Sequence, residues 1–498
     1  MDLGGSWRAY PADDELRRVF ADPAFDDESW ETVRVPGHWR SAPAFAASDG
    51  PVLYRRAFAC DRPADDERVW LTFEGTFYLA DAWLDGAYLG NSEGYFFPHT
   101  FEITDQVAAR REHLLAVEVA CEPPRDLTAK RNVTGVFQHW DCIDPASNPG
   151  GLWRPVGVGR TGPVRLSRLR VLCVEATPER ATVELAAALD AATAAEATIT
   201  TTVAGAAGPA LMERGDPHHL AAGENLVRWR VTLERPELWW PHALGEQPLY
   251  DVSVAVDLGG ARSDGREVRL GLRQVRQRHW IFTVNGERLF VKGANYGPTR
   301  MAIGEARPAE IEADLQLARD AGLDLLRVHG HIAGPDLYDA ADRYGMLLWQ
   351  DFPLQWGYAR SARREAVRQA TETVDLLGHH PSIVLWCAHN EPFAVDHVAG
   401  DSHQPGGARL AARHGLPTFN KTVLDSSIRR ALERADPTRP VIAHSGVLPG
   451  LASSDSDSHL YLGWYGGAER DLPRWLERVP RLGRFLSEFG AQAVPASD

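Results

Sequence analysis

The stretch Ile383-Val384-Leu385-Trp386-Cys387-Ala388 runs directly into His389-Asn390-Glu391-Pro392. An unbroken apolar run of this length reads as a strand buried on both faces, the pattern of a parallel sheet covered by helices. A second, shorter run of the same kind, Phe485-Leu486-Ser487, ends in Glu488-Phe489-Gly490. Each predicted strand therefore delivers a carboxylate at its carboxyl end.

Outward from these two runs, the text after about residue 273 alternates helix and strand. Ile311, Leu315 and Ala318 share one helical face, the helix stops at Gly322, and Leu325-Leu326-Arg327-Val328 follows as a strand. The same succession recurs: Pro335 to Tyr344 before Met346-Leu347-Leu348-Trp349, and Arg363 to Leu377 before the Glu391 strand. Lys421 to Ala435 precedes Val441-Ile442-Ala443-His444, and Leu472 to Val479 precedes the Glu488 strand. With Leu289-Phe290-Val291 opening the series and His459-Leu460-Tyr461 as the sixth member, seven strands are expected in a parallel (β/α) barrel of the TIM type. Glu391 ends the fourth and Glu488 the seventh. Too few residues follow Glu488 for an eighth strand and its helices, so the barrel is expected to be incomplete unless a longer or second chain closes it.

Upstream the rhythm is all-β. Val69-Trp70-Leu71-Thr72-Phe73, Ala82-Trp83-Leu84 and Leu114-Leu115-Ala116-Val117-Glu118-Val119 read as strands, and Asp85-Gly86 between alternating residues is a hairpin signal. A first sandwich is expected over residues 1–167. A second all-β unit over 168–272 runs through Ala181-Thr182-Val183-Glu184-Leu185 and Tyr250-Asp251-Val252-Ser253-Val254. Its Ala/Thr-rich stretch around 186–207 reads either as a linker or, from the alternation at Thr198-Ile199-Thr200-Thr201-Thr202-Val203, as short strands. The remaining unit spans 273–498.

A chain of 498 residues with 44% hydrophobic and 24% charged residues suits about three soluble domains. A formal net charge of -15 gives no basic face for a polyphosphate, which argues against nucleic acid as a partner. The five cysteines have no CxxC spacing, which points to a reducing compartment rather than a disulfide framework or thiolate zinc site. No apolar run reaches membrane-spanning length and Met1-Asp2-Leu3-Gly4-Gly5-Ser6-Trp7 lacks a signal-peptide pattern, so no membrane association and a cytoplasmic location are expected.

Two carboxylates at the carboxyl ends of different barrel strands are what a retaining glycosidase needs, one as acid/base and one as nucleophile. The chain further resembles glycoside hydrolase family 2, the group of β-galactosidases, β-glucuronidases and β-mannosidases. The likeness rests on Phe25-Asp26-Asp27-Glu28-Ser29-Trp30 through Pro36-Gly37-His38-Trp39 and Gly150-Gly151-Leu152-Trp153-Arg154-Pro155, similar to that family's sugar-binding jelly-roll. It continues in Pro236-Glu237-Leu238-Trp239-Trp240-Pro241, similar to its immunoglobulin-like domain, and in Val284-Asn285-Gly286 through Lys292-Gly293-Ala294-Asn295, similar to its first barrel strand. His380-Pro381-Ser382-Ile383-Val384-Leu385-Trp386 with Asn390-Glu391 resembles the acid/base signature, and Ser487-Glu488-Phe489-Gly490 the nucleophile signature.

The resemblance implies an exo-acting retaining β-glycosidase on a carbohydrate substrate, with Glu391 as acid/base, Glu488 as nucleophile and Asn390 on the sugar 2-hydroxyl. For retention the carboxyls should stand ~5–5.5 Å apart, against ~6.5–9.5 Å for inversion. The alternative is a catalytically silent carbohydrate-binding member with an incomplete barrel. Leu348-Trp349-Gln350-Asp351-Phe352 is closer to the mannosidase-like branch; a galactosidase-like activity stays open.

Arg327, His329, His331 and Asp351 end predicted strands and are expected at the barrel mouth, as is His459. Trp356 and Trp464 fall on predicted loops where a sugar face stacks on an aromatic ring. Trp386 serves either as a core residue or as the platform beneath the sugar. His329 and His331 have no third partner of zinc-site spacing, so neither metal nor cofactor is expected. A homo-oligomer or a second chain completing the barrel are the partners considered. One departure stands out: Ala388 and His389 occupy positions where relatives commonly carry Gly and Asn.

Overall fold

Asp85 (φ 53°) and Gly86 (φ 85°) both adopt the left-handed backbone, and the strands they join, Leu79–Leu84 and Ala87–Glu93, pair antiparallel. The hairpin read from Asp-Gly is therefore formed, because a two-residue turn of this hand matches the strand twist. The computed structural model describes residues 1–138, 147–205, 208, 210–392, 417–447, 457–462 and 468–490.

The hairpin ends a six-stranded sheet in the order Glu31–Val35, Gly5–Pro11, Val52–Ala59, Glu112–Ala120, Leu79–Leu84, Ala87–Glu93. A three-stranded sheet, His99–Glu102, Arg68–Phe73 and Val156–Thr161, completes the first sandwich. Trp7, Tyr54 and Val117 of one sheet and Val69, Leu71 and Val156 of the other share one core.

The second sandwich packs Val164–Ala176, Arg180–Ala191 and Gly223–Glu234 against Ala210–Leu220, Ala195–Gly205, Tyr250–Leu258 and Ala261–Leu270. The Ala/Thr-rich stretch thus forms strands: Ala187, Leu189, Ile199 and Val203 are buried between the sheets, and Trp229 Nε1 donates to Thr201 Oγ1 across them at 2.9 Å. Alternate burial of one face turns a bland composition into paired strands.

Beyond residue 290 a five-stranded parallel sheet has the order Gly293–Tyr296, Leu325–Val328, Leu347–Asp351, Ile383–Cys387, Val441–Ile442. Ser458–Leu460 and Leu486–Phe489 form a further parallel pair. The helices Pro308–Asp320, Pro335–Tyr344, Ala362–Leu377 and Asp425–Ala435 alternate with these strands. Ile311, Leu315 and Ala318 are the buried face of the first, as their spacing predicts.

One expected strand is displaced. The first parallel strand is Gly293–Tyr296 and not Leu289 to Val291, since Glu287–Leu289 folds back antiparallel on Ile281–Val284. The Asn285-Gly286 turn (φ 50° and 89°) reverses the chain there, and Asn285 is locked by its Oδ1 on Gln274 N and its Nδ2 on Trp239 O.

The first sandwich reaches into the mouth of the parallel sheet. Val136 N donates to Gly330 O at 3.1 Å, and buried Lys130 donates from Nζ to Gln355 O at 2.5 Å, its ammonium over the Tyr358 ring. Among the described residues no helix is long and apolar enough to cross a membrane.

Candidate active site

Glu391 and Glu488 stand at the carboxyl ends of Ile383–Cys387 and Leu486–Phe489, and their side chains meet. One oxygen of each, together with a ring nitrogen of His459, lie within 4.8 Å of one another. His459 is the wedge between them: Nδ1 is 2.9 Å from Glu391 Oε1, and Nε2 is 3.4 Å from Glu488 Oε1.

Glu488 is held from several sides. Arg327 Nη1 donates to Oε1 at 2.6 Å, His329 Nε2 lies 3.3 Å from the same oxygen, and the Tyr461 hydroxyl donates to Oε2. Burial works against the anion, but the positive charges of His459 and Arg327 outweigh it and hold the carboxyl well below its ordinary range. Burial likewise opposes charge on His459, yet Glu488, Asp457 and Glu391 push its pKa up to about 10. Tyr461 is pushed up by burial and by the two carboxylates, so it is a phenol donor.

Arg327 is the hub. Its other face meets Asp351 (Nη2 to Oδ2 at 2.9 Å), Nη2 also donates to Asn390 Oδ1 at 2.6 Å, and the guanidinium lies over the Trp349 ring. Asp351 is fully buried and also accepts from Gly330 N at 3.0 Å and Trp349 Nε1 at 2.8 Å. It sits behind Arg327 as an anchor. Asn390 Nδ2 donates to Gln355 Oε1 at 2.6 Å and lies 3.1 Å from His329 Nε2, while its backbone bridges Gln355 on one side and Ser445 on the other.

Glu391 follows at φ 47°, and Trp356 at φ 59°, two side-chain-bearing residues in the left-handed region. Such backbone costs about 1 kcal/mol or more and persists where surrounding bonds over-determine it. Trp356 N donates to Asn390 O, Glu391 N donates to Ser445 O, and the Trp356 indole Nε1 donates to Glu391 Oε2 at 3.0 Å.

Two candidate positions are turned away from the carboxylates. Trp386 is not beside the carboxylates: its indole donates to buried Asp436 Oδ2 at 2.8 Å, because the alternation of its strand turns it to the helix-covered side. His331 is also turned away, with Nδ1 on His329 O and the ring edge on Phe137, and burial lowers its pKa to about 4, leaving it neutral. It lines a cavity of about 430 Å³ between the first sandwich and the parallel sheet, with Trp153, Tyr296 and Leu337, which includes neither carboxylate. Trp464 lies outside the described residues.

Sequence reasoning missed Tyr461, Gln355, Ser445 and Asp457. Tyr461 had a usable signal, since it is two residues from His459 and so shares its side of an extended segment. The others carry none, being placed by pairing between distant segments. Among the described residues, donors close enough for a cation are Glu391, His459 and Glu488, and separately Asp339, Asp342 and His380. In the second group Asp342 is already committed to His380 Nδ1 and Ser382 N.

Two sandwiches thus precede a parallel β/α unit with paired carboxylates at its strand ends. The family described as "Glycosyl hydrolase 2 galactose-binding domain-like" matches residues 45–152, and "Glycosyl hydrolases family 2" matches 166–273. Both matches support glycoside hydrolase family 2 as the family of this chain. It is 26% identical over 487 residues to beta-mannosidase B of Thermothelomyces thermophilus, covering 89% of this chain and 55% of that protein. It is 30% identical over 298 residues to an exo-beta-D-glucosaminidase of Streptomyces avermitilis, covering 56% of this chain and 31% of that one. The fold matches a beta-D-mannosidase structure from Dictyoglomus thermophilum at TM-score 0.80, with 20% identity over 100% of this chain and 63% of that one. The chain thus spans about half the length of the fungal mannosidases it matches, 55% of the first.

Proposed function

We propose that this chain carries the catalytic centre of a retaining exo-β-glycosidase, with β-mannosides as the leading substrate class. The carrying observation is the approach of Glu391 and Glu488, an oxygen of each within 4.8 Å of the other. That is on the side of the ~5–5.5 Å carboxyl spacing of double displacement and short of the ~6.5–9.5 Å that admits a water between sugar and base. The reading takes the seven parallel strands as part of a TIM-type barrel, preceded by sandwich domains over 1–167 and 168–272.

In this reading Glu488, kept anionic by Arg327 and His459, attacks the anomeric carbon and forms the glycosyl-enzyme. Glu391 gives a proton to the departing oxygen, then takes one from the water that releases the sugar. Asn390, oriented by Arg327 and Gln355, stands next to both as a contact for a sugar hydroxyl, and Trp356 supplies an aromatic wall beside Glu391. The mannoside preference draws on the fungal beta-mannosidase B relatives, similar over 89% of the chain.

The test is a panel of 4-nitrophenyl β-D-mannoside, glucosaminide, galactoside, glucoside and glucuronide with the wild type, Glu391→Gln and Glu488→Gln. Turnover of at least one glycoside, a first-formed β-anomer by NMR, and loss of about 10²-fold or more in both variants are expected. Binding without turnover by the wild type would instead identify a silent carbohydrate-binding member.

A further inference from the structure

We infer that His389, Asp425 and His444 form a hydrogen-bonded chain, buried at His389 and Asp425, that positions the proton donor Glu391 through Trp356. This rests on the reading of Glu391 as acid/base. The His389 side chain is fully buried together with that of Asp425. Its Nε2 lies 2.7 Å from Trp356 O. A carbonyl oxygen can only accept, so Nε2 carries the hydrogen. Its Nδ1 lies 2.7 Å from Asp425 Oδ1, and Asp425 Oδ2 lies 3.2 Å from His444 Nδ1. Asp425 is itself fixed as the first residue of the helix Asp425–Ala435. The His389 and Tyr358 rings form a T-shaped contact, their centroids 5.6 Å apart.

The chain ends on a strained element. Trp356 is held at φ 59° by its N–H on Asn390 O and by its carbonyl under His389 Nε2. In this backbone the indole reaches Glu391 Oε2 at 3.0 Å. Oε2 receives the indole N–H and Oε1 faces His459, so the Glu391 carboxyl is held from both sides. His389 is thus a positioning residue: it acts by fixing the backbone of Trp356, whose indole holds Glu391 Oε2.

A residue that serves the acid differs from one that merely stabilises the fold in its leaving-group dependence. A phenyl glycoside needs protonation to depart, whereas a 2,4-dinitrophenyl glycoside does not. Full-length wild type, Glu391→Gln, His389→Leu and His389→Gln are assayed on both aryl glycosides of the sugar the panel selects, β-D-mannopyranoside first. His389→Leu is expected to lower kcat/KM for the phenyl glycoside by about 10-fold or more, with kcat/KM for the dinitrophenyl glycoside within about 3-fold. His389→Gln, which keeps one N–H donor, restores part of the loss. Glu391→Gln shows the same kcat/KM pattern more strongly, and its kcat falls on both glycosides because the base of the second step is lost. Should His389→Leu not fold by circular dichroism, Asp425→Asn and His444→Gln report the same ratio. Equal losses on both leaving groups, or none, overturn the inference while leaving the glycosidase reading intact. A wild type inert toward the whole panel removes both.

Discussion

Arg327 Nη1 lies 2.6 Å from Glu488 Oε1 although the two are 161 residues apart in sequence. The same guanidinium binds Asp351 on its far side, so one buried cation compensates two buried carboxylates. A buried pair of this kind adds little net stability, but removing one partner strands the others without compensation.

Arg327→Met is accordingly expected to destabilise the protein by about 3–5 kcal/mol, read by urea unfolding. It also acts on chemistry. The Glu488 carboxyl is depressed in the folded state, so its stabilising contribution is present above the ordinary carboxyl range and is lost as pH falls through the folded value. With Arg327 gone that value rises, and the acid limb of kcat/KM moves to higher pH.

His459 gives the opposite sign. Its pKa is raised to about 10 in the folded protein, above the free value near ~6.5, so its contribution is complete below ~6.5 and disappears as pH rises through about 10. Between these limits one extra bound proton lowers stability by about 1.4 kcal/mol per pH unit. Buried Lys130, lowered by desolvation to about 7, works against this trend over the same window. The comparison with His459→Gln isolates the histidine: the variant should lose less Tm than wild type between pH 7 and 10.

Trp386→Phe tests the reassignment of that indole to the interior. Asp436 loses the Nε1 donor but keeps Arg439 Nη1 and Thr438 N, so the cost is about 1–2 kcal/mol in unfolding with KM unchanged. A KM increase of tenfold at unaltered stability would return Trp386 to the sugar platform.

Gly135→Ala probes the contact between the first sandwich and the parallel sheet. Gly135 has φ 58°, and a β-carbon there would stand 1.8 Å from Gly330 O, a backbone atom that cannot yield cheaply. The substitution is expected to displace the Val136 to Gly330 bond and lower Tm by several degrees, more than the ~1 kcal/mol typical of point changes.

The two carboxylates, their strands and the two β-sandwich regions were legible in the sequence because each rests on a local signal. Apolar runs such as Ile383 to Ala388 mark buried strands, a residue just past such a run emerges at the strand end, and Asp85-Gly86 specifies its own turn. Tertiary structure alone decided the rest: that Trp386 faces Asp436, that Tyr461 joins Glu488, that Asn285-Gly286 moves the first parallel strand to Gly293–Tyr296, and that His389 reaches both Asp425 and Trp356. Periodicity fixes which residues share a face within one element, whereas the group waiting across the gap is set by segments far away in the chain.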